Sequence, residues 1–153
     1  MLDKLEIHSI KKHNVCILYK PILDEINYEK QALPFEIPKN CLVLPNDKNS
    51  DPFEWADFCK KKFIKTNPYV LIPGKKFDLY GTRHGRGYGW YDRFLSKIPK
   101  NWPRIGVADI SKIHPKKLIK KSWDEPVDWI MIFNFSNASW KFHETHARQK
   151  QKL

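Results

Sequence analysis

The chain has 153 residues, 41% of them apolar and 14% aromatic, which is typical of one globular domain, over residues 1–153, with one sizeable core. Its apolar runs are too short to cross a bilayer, and residues 1–14 hold no apolar stretch like that of a secretory signal. These features exclude a membrane-spanning, secreted or disordered chain. They predict a cytoplasmic protein.

The three cysteines agree with a reducing compartment. Cys16, Cys41 and Cys59 lie in apolar or helix-like segments, and their spacing is not that of a metal site. Cysteines of this kind are typically reduced and structural in a cytosolic protein.

The net charge of +11 has three explanations. A nucleic-acid-binding protein uses a basic face to displace counterions. A protein that binds small polyanions also gains from a positive field. The third explanation is that scattered lysines reflect composition alone. Charge by itself selects no fold.

In chain order, the first half of the sequence predicts three strands and two helices. They are a strand over 15–19, a helix over 25–33, a strand over 41–44, a helix over 51–64 and a strand over 69–72. Proline ends the first helix at Pro34, because its ring prevents the helix from continuing. The second helix has Asp51 as its N-cap, Pro52 at the first helical position and Glu54 in support.

The second half continues the alternation. It predicts a helix over 91–98, a strand over 104–108, a short basic helix over 115–121, a strand over 129–133 and a polar tail over 139–153 that forms a frayed helix. Short apolar strands alternating with helices predict an α/β fold. We expect a compact open sheet with helices on both faces, a Rossmann-like three-layer sandwich.

The most informative segment is Pro73 to Arg93, which reads PGKKFDLYGTRHGRGYGWYDR. It holds glycines alternating with other residues, at Gly85, Gly87 and Gly89. Glycines allow positive φ and close approach of the backbone to a ligand, and successive N–H groups in such a turn hold anions. The neighbouring basic and acidic residues are Arg83, Arg86 and Asp92. Together they predict a loop that binds a nucleotide phosphate with Mg²⁺.

This segment resembles the signature of the 5-formyltetrahydrofolate cyclo-ligase family, the methenyltetrahydrofolate synthetases. The residues in register are Pro73-Gly74, Phe77-Asp78, Gly81, Arg83, Gly85, Gly87, Gly89, Tyr91, Asp92 and Arg93. Weaker similarity covers residues 15 to 132. It includes Glu25 after the first strand and the Asp124 to Asp128 element, and the specific similarity is strongest over 73–128.

The resemblance implies an ATP- and Mg²⁺-dependent ligase that closes 5-formyltetrahydrofolate to 5,10-methenyltetrahydrofolate through a phosphorylated formyl group. It implies that Arg83 and Arg86 neutralise phosphate charge and that Asp92, with Asp128, holds the metal. It implies that the nucleotide is bound by Gly85, Arg86, Gly87, Tyr88, Gly89, Trp90, Tyr91 and Asp92. It implies that Glu25, Trp90 and Tyr91 bind the folate substrate, free or polyglutamylated. We expect a monomer.

The chain also departs from the family pattern. The family's longer basic segment before the first strand is missing, and Lys11 and Lys12 replace it poorly. Tyr88 and Trp90 differ from the usual loop residues, and Lys112 stands in place of a usual Gln. The alternative function is therefore a non-catalytic member of the fold that binds a nucleotide or RNA through its basic surface. A deep pocket favours the enzyme, whereas an extended basic groove favours RNA.

Three further features are weaker candidates. His84 is suited either to a phosphate contact or to a supporting hydrogen bond. The pair His143 and His146 has no evident third ligand for a metal. The lysines of 116–121 fit a solvated face.

Overall fold

The structure is a computed structural model that describes residues 13–22, 24–45 and 47–151. In chain order its elements are β1 (Cys16–Tyr19), β2 (Cys41–Leu44), α1 (Pro52–Lys62), β3 (Tyr69–Ile72), β4 (Lys76–Asp78), β5 (Arg83–His84), α2 (Trp90–Ser96), β6 (Arg104–Asp109), β7 (Ile113–His114), β8 (Trp129–Asn134), β9 (Ser139–Glu144) and α3 (His146–Gln151). Lys11 and Lys12 lie outside the described residues.

A six-stranded sheet forms the centre, in the order β2-β1-β3-β6-β8-β9. Every neighbouring pair is parallel except β8 and β9, which are antiparallel. The predicted α/β fold is therefore confirmed. The strand order reverses between β1 and β3, and ligands of open α/β sheets bind at the carboxyl ends of strands beside such a reversal.

Two apolar layers cover the sheet. On one face, α1 and α2 pack against β-strand residues such as Ile17, Val70 and Ile130. On the other face, Ile26, Tyr28 and Phe35 come from the loop between β1 and β2, and they are joined by side chains of β9. Among the described elements, this second layer is built mainly from loop residues and β9, whereas helices were expected on both faces.

The predicted helix over 25–33 is wrong, because this segment forms turns. Ile26 and Tyr28 are both buried, and this two-residue spacing belongs to extended chain and not to a helix. The Tyr19 hydroxyl donates to the Ile26 carbonyl at 2.6 Å, and the Tyr28 hydroxyl donates to the Tyr19 carbonyl. Tertiary bonds therefore replace the helical ones.

The second helix is confirmed, with its last turn shorter than expected. The Asp51 carboxylate accepts from the Phe53 N–H at 2.9 Å, so the predicted cap is present. Ala56 of α1 and Phe63 just after it are buried, whereas Ile64 is 79% exposed.

Two further expectations are wrong. Residues 115–121 form no helix, because the Leu118 N–H donates to the Asp78 carboxylate and the Ile119 carbonyl bonds the His84 ring. The tail is not one frayed helix, since β9 occupies 139–144 and α3 follows it. Phe142 stacks on Trp129 at 5.0 Å, which anchors the strand.

A small second sheet, in the order β5-β4-β7, lies beside the carboxyl ends of the main strands. Its key residue is Asp78 at the end of β4, which is fully buried. One carboxylate oxygen accepts from the N–H groups of residues 80–82 at 3.0, 3.0 and 2.9 Å, and the other accepts from the Leu118 N–H at 2.7 Å. Asp78 thereby joins the turn that leads into the glycine loop to the 118–125 segment.

Within the part of the chain that the structure describes, no helix is long and apolar enough to span a bilayer. The three cysteines are free, and Cys16 and Cys59 are buried. Burial raises the pKa of each of these two thiols to about 12, which keeps them protonated and unreactive.

Candidate active site

A cleft of about 1040 Å³ opens at the carboxyl ends of β1 and β3, where the strand order reverses. Its walls are the glycine loop with the start of α2 over 83–93, the loop after β1 and the 119–125 segment. All the predicted site residues line this cleft except Asp128.

The glycine loop has free hydrogen-bond donors. The backbone N–H groups of residues 85–89 donate to no acceptor in the described chain. Gly87 and Gly89 have φ of 94° and 65°, and apart from their chain neighbours no residue has a heavy atom within 4 Å of where their Cβ atoms would be. Unpaired N–H groups at a folded turn require water or a ligand as partner. The loop is therefore suited to an anion.

Arg93 fixes the shape of this loop from behind. Its guanidinium donates to the carbonyl oxygens of Tyr88 and Gly89 at 2.8 and 3.2 Å. Tyr88 itself is 54% exposed, and Lys48 lies 5.1 Å from its ring centre. The backbone is held while the Tyr88 ring remains open to a ligand.

Arg83 lies buried beneath the loop. Its Nε donates to the Pro73 carbonyl at 2.6 Å, and its guanidinium lies 5.1 Å from the ring centre of Tyr91. A Cβ atom at Gly85 would come within 2.8 Å of the Arg83 Nη2, so a side chain there would displace the guanidinium. Burial lowers the pKa of Arg83 and the nearby Asp92 opposes this shift. Arg83 therefore supplies a fixed positive charge under the loop.

Arg86 is already paired. Its Nη2 lies 3.0 Å from the Asp24 carboxylate, and its Nε lies 3.4 Å from the Glu25 carboxylate. Of the two predicted phosphate-binding arginines, Arg86 thus has part of its charge offset by acids of the loop after β1.

Asp92 lies at the opposite wall, in the first turn of α2. One of its carboxylate oxygens accepts from the Glu125 N–H at 3.0 Å. Burial raises the pKa of Asp92, the Glu125 N–H bond and Arg83 lower it, and the charges of Asp124 and Glu125 raise it. Asp124 and Glu125, from the 124–128 element, line the cleft together with Asp92, and Glu25 and Asp47 line it too.

Asp128, the expected second metal ligand, does not line the cleft. It is 4% exposed, and its carboxylate accepts from the Arg104 N–H at 2.9 Å. Asp128 thus stabilises the start of β6, and the structure does not bring it together with Asp92 at the cleft. Asp124 lines the cleft instead, and it was not predicted because the sequence of the 124–128 element does not show which of its two aspartates lies at the cleft.

The neighbouring aromatic residues Trp90 and Tyr91 have different surroundings. Trp90 is 8% exposed, its indole N–H donates to the Ser50 carbonyl at 3.1 Å, and its ring stacks on Phe94. Trp90 therefore acts mainly as a core residue of α2 at the cleft edge. Tyr91 packs over Arg83 between the two apolar layers. Burial raises the pKa of Tyr91, so its hydroxyl stays protonated.

Sequence reasoning missed two apolar residues of the 119–125 wall. Ile119 is 80% exposed and Trp123 is 63% exposed, and both line the cleft. A tryptophan directly before the 124–128 element was the signal available in the sequence. The wall gives the cleft an apolar surface that suits a planar ring.

The weaker candidates acquire no ligand-binding role here. The Nε2 of His84 lies 2.7 Å from the Ile119 carbonyl, which favours the supporting hydrogen bond. The Nε2 of His143 lies 3.3 Å from the Leu79 carbonyl, and the His146 ring contacts Tyr80. Among the described residues, no group of three or more His, Cys, Asp or Glu side chains could hold a metal ion by itself.

The model of the 5-formyltetrahydrofolate cyclo-ligase family matches residues 56–132, which include the glycine loop and the 119–125 wall. The chain belongs to this family. A Caenorhabditis elegans relative, a probable 5-formyltetrahydrofolate cyclo-ligase, is 40% identical over 55 residues. That alignment covers 31% of this chain and 27% of the relative's length.

Two solved structures share the fold of this cyclo-ligase family member. A 5,10-methenyltetrahydrofolate synthetase from Mycoplasma pneumoniae has a TM-score of 0.52 and 17% identity, and the match covers 85% of this chain and 87% of that one. The Aquifex aeolicus 5,10-methenyltetrahydrofolate synthetase has a TM-score of 0.51 and 21% identity, over 81% and 71% of the two chains. At these identities the likeness concerns the fold alone.

Proposed function

We propose that this chain is an active 5-formyltetrahydrofolate cyclo-ligase that uses ATP and Mg²⁺. The observation that carries the proposal is the row of unpaired N–H groups over 85–89, which lies in one cleft with Asp92 and the buried Arg83. Membership of the family supplies the reaction, and the site supplies donors and charges of the kind that phosphoryl transfer requires.

The residues fit a nucleotide-bound Mg²⁺. This ion usually takes one or two protein carboxylates and completes its shell with phosphate oxygens and water. Asp92 and Asp124 line the same cleft and would hold the ion there. When bound, Mg²⁺ would neutralise phosphate charge as the phosphoryl group moves.

In the proposed reaction, the formyl oxygen attacks the γ-phosphorus of ATP and ADP departs. The neighbouring folate N–H nitrogen then attacks the activated carbon, its proton is lost to water, and phosphate leaves with the former formyl oxygen. The N–H groups of 85–89 and Arg83 would hold the phosphate in line, and Glu25 would accept hydrogen bonds from the pterin. Tyr88 and Trp123 would cover the planar ring, which also limits the access of water.

The test is formation of methenyltetrahydrofolate, followed by its absorbance, with and without ATP. We expect slow ATP-dependent turnover. In parallel, MgATP at about 100 times its dissociation constant should stabilise the fold by about 2.7 kcal/mol, detected as a thermal shift. A thermal shift without any turnover would reject the enzyme and leave a nucleotide-binding protein.

The RNA-binding alternative receives less support from the site. The cleft mixes basic residues, such as Lys20, Lys48 and Lys121, with acidic ones, such as Asp92 and Asp124. A groove that follows a phosphate backbone would be expected to exclude carboxylates. Binding of RNA with a steep salt dependence, together with no response to ATP or folate, would reverse this preference.

The two loop arginines should contribute unequally to nucleotide binding. We expect Arg83→Met to weaken MgATP binding by about 1.5–3 kcal/mol, because hydrogen bonds to charged groups have this magnitude. Arg86→Met should weaken it less, since Arg86 is already paired with Asp24 and Glu25. Calorimetric titration of the folded variants measures both effects. Equal losses would show that Arg86 turns to the phosphate on binding.

A further inference from the structure

Three segments that are far apart in the sequence meet at Asp24. The Arg86 Nη2 of the glycine loop lies 3.0 Å from the Asp24 carboxylate. From the turn after β6, the Lys112 Nζ lies 3.2 Å from the same oxygen and 3.0 Å from the Asp24 carbonyl. We call Asp24, Arg86 and Lys112 the Asp24 clamp. It lies at the carboxyl ends of β1 and β6, next to the cleft.

The Asp24 clamp differs from a surface ion pair because its two cationic side chains are largely buried. The side chain of Lys112 is only 10% exposed and that of Arg86 is 23% exposed, although Asp24 is 68% exposed. A cation with so little contact with water depends on its protein partners. Lys112 also has little freedom, because the Asp109 carboxylate caps the 3-10 turn that ends at Lys112. Arg86 and Lys112 lower the pKa of Asp24, which keeps it ionised.

Glu25 shares the same arginine. Its side chain is 7% exposed, one of its oxygens accepts from the Ile22 N–H at 3.0 Å, and the other lies 3.4 Å from the Arg86 Nε. Arg86 is thus divided between two acids, and its hydrogen-bond contact is with Asp24. Glu25 and Arg86 line the cleft, whereas Asp24 and Lys112 do not.

We infer that Asp24 and Lys112 are positioning residues that hold Arg86 off Glu25, so that Glu25 keeps a carboxylate oxygen for the folate. The inference rests on the proposed function, since it takes Glu25 as the group that meets the pterin. Arginine forms bidentate pairs with carboxylates wherever geometry allows. Without the charge of Asp24, Arg86 closes onto Glu25 as such a pair and occupies both of its oxygens.

The clamp therefore predicts a loss that is specific for one ligand. Folate binding needs the Glu25 oxygen that lies 3.4 Å from the Arg86 Nε without a hydrogen bond, whereas nucleotide binding uses the N–H groups of 85–89 and Arg83. Removing an ion pair that is only structural would give one of two other results. Either the fold is destabilised and both ligands bind more weakly, or neither binding constant changes, because exposed ion pairs often contribute little.

The experiment measures binding of 5-formyltetrahydrofolate and of a non-hydrolysable MgATP analogue by calorimetry, so it does not depend on turnover. The variants are Asp24→Asn, Lys112→Met and Lys112→Arg. The matched control is Asp57→Asn, because Asp57 is 66% exposed and lies 3.3 Å from Lys60 on α1, away from the cleft. Thermal unfolding of each variant checks the fold.

We expect Asp24→Asn and Lys112→Met to weaken folate binding about tenfold, equivalent to about 1.4 kcal/mol. Analogue binding should change less than about twofold, and Lys112→Arg and the control should bind both ligands like the wild type. If the wild type binds folate and Asp24→Asn binds it equally well, the clamp is overturned while the proposed function stands. The clamp is also overturned if Asp24→Asn weakens the binding of folate and of the MgATP analogue equally. A wild-type chain that binds no folate overturns the proposed function and the clamp with it.

Discussion

Replacing Asp92 with asparagine is expected to reduce turnover by about 100-fold or more, the size of effect seen when one polar group that stabilises a transition state is lost. Asparagine keeps the shape of the side chain and an oxygen that can accept from the Glu125 N–H. It lacks the charge that would hold Mg²⁺ beside Asp124. The variant therefore separates the proposed chemical role of Asp92 from its structural hydrogen bond.

The free energy of unfolding of Asp92→Asn is not expected to fall along with its turnover. Burial raises the pKa of Asp92, so its folded-state pKa lies above the unfolded one. The stability linked to this shift is present below the unfolded pKa and is lost as pH rises through the folded pKa. At neutral pH the ionised wild type has lost it, and we expect Asp92→Asn to be equally stable or more stable there.

Denaturant unfolding above and below the titration of the carboxyl group measures this behaviour, and the absorbance assay measures turnover. Asp57→Asn is a suitable control, because Asp57 is an exposed aspartate of α1 away from the cleft. Full activity in Asp92→Asn would remove this carboxylate from the mechanism. A large loss of stability with a matching loss of folded protein would make its role structural.

The sequence predicted five of the six strands of the main sheet, β1, β2, β3, β6 and β8, because each contains a short, mainly apolar run. The loop was predictable for a different reason, since the alternation of Gly85, Gly87 and Gly89 and the neighbouring charges have few structural uses other than anion binding. Both signals are local. Both can be recognised from neighbouring residues in the sequence, without knowing which other residues pack against them.

The errors come from long-range contacts. The 25–33 segment contains residues acceptable in a helix, but the hydroxyls of Tyr19 and Tyr28 bond across it and fix turns. Strand β9 was missed although Trp140 and Phe142 alternate with polar residues, because the tail as a whole is polar. Within the site, the burial of Asp128 and the pairing of Arg86 depend on partners 24 and 62 residues away in the chain. A short sequence pattern contains no information about partners this far away in the chain.

The largest effect on stability is expected at Asp78, a residue of the family signature that acts through structure. Its carboxylate is fully buried and accepts from four backbone N–H groups, three in the 80–82 turn and one at Leu118. Alanine would leave the N–H groups of Tyr80, Thr82 and Leu118 without a partner, and that of Gly81 with only its 3.4 Å bond to the Asp78 carbonyl. Since a buried unpaired donor costs about 1–3 kcal/mol, Asp78→Ala should lose about 4 kcal/mol or more.

Asparagine at this position gives a graded comparison. Its single oxygen can serve the 80–82 turn, but its NH₂ group then faces the Leu118 N–H, and two donors cannot bond each other. We expect Asp78→Asn to lose about 2 kcal/mol, roughly half the effect of alanine. Urea unfolding followed by circular dichroism measures both variants. Asp109→Asn is the control, since Asp109 caps an exposed turn through the Ser111 N–H at 2.8 Å.

Function should follow stability in the Asp78 variants, because Asp78 connects the two walls of the cleft. The 80–82 turn leads into Arg83 and the glycine loop, while Leu118 precedes the wall that holds Trp123 and Asp124. In a variant that still folds, we expect weaker nucleotide binding although Asp78 itself does not line the cleft. If Asp78→Ala unfolds within about 1 kcal/mol of the wild type, water replaces the carboxylate and the connection between the walls does not depend on it.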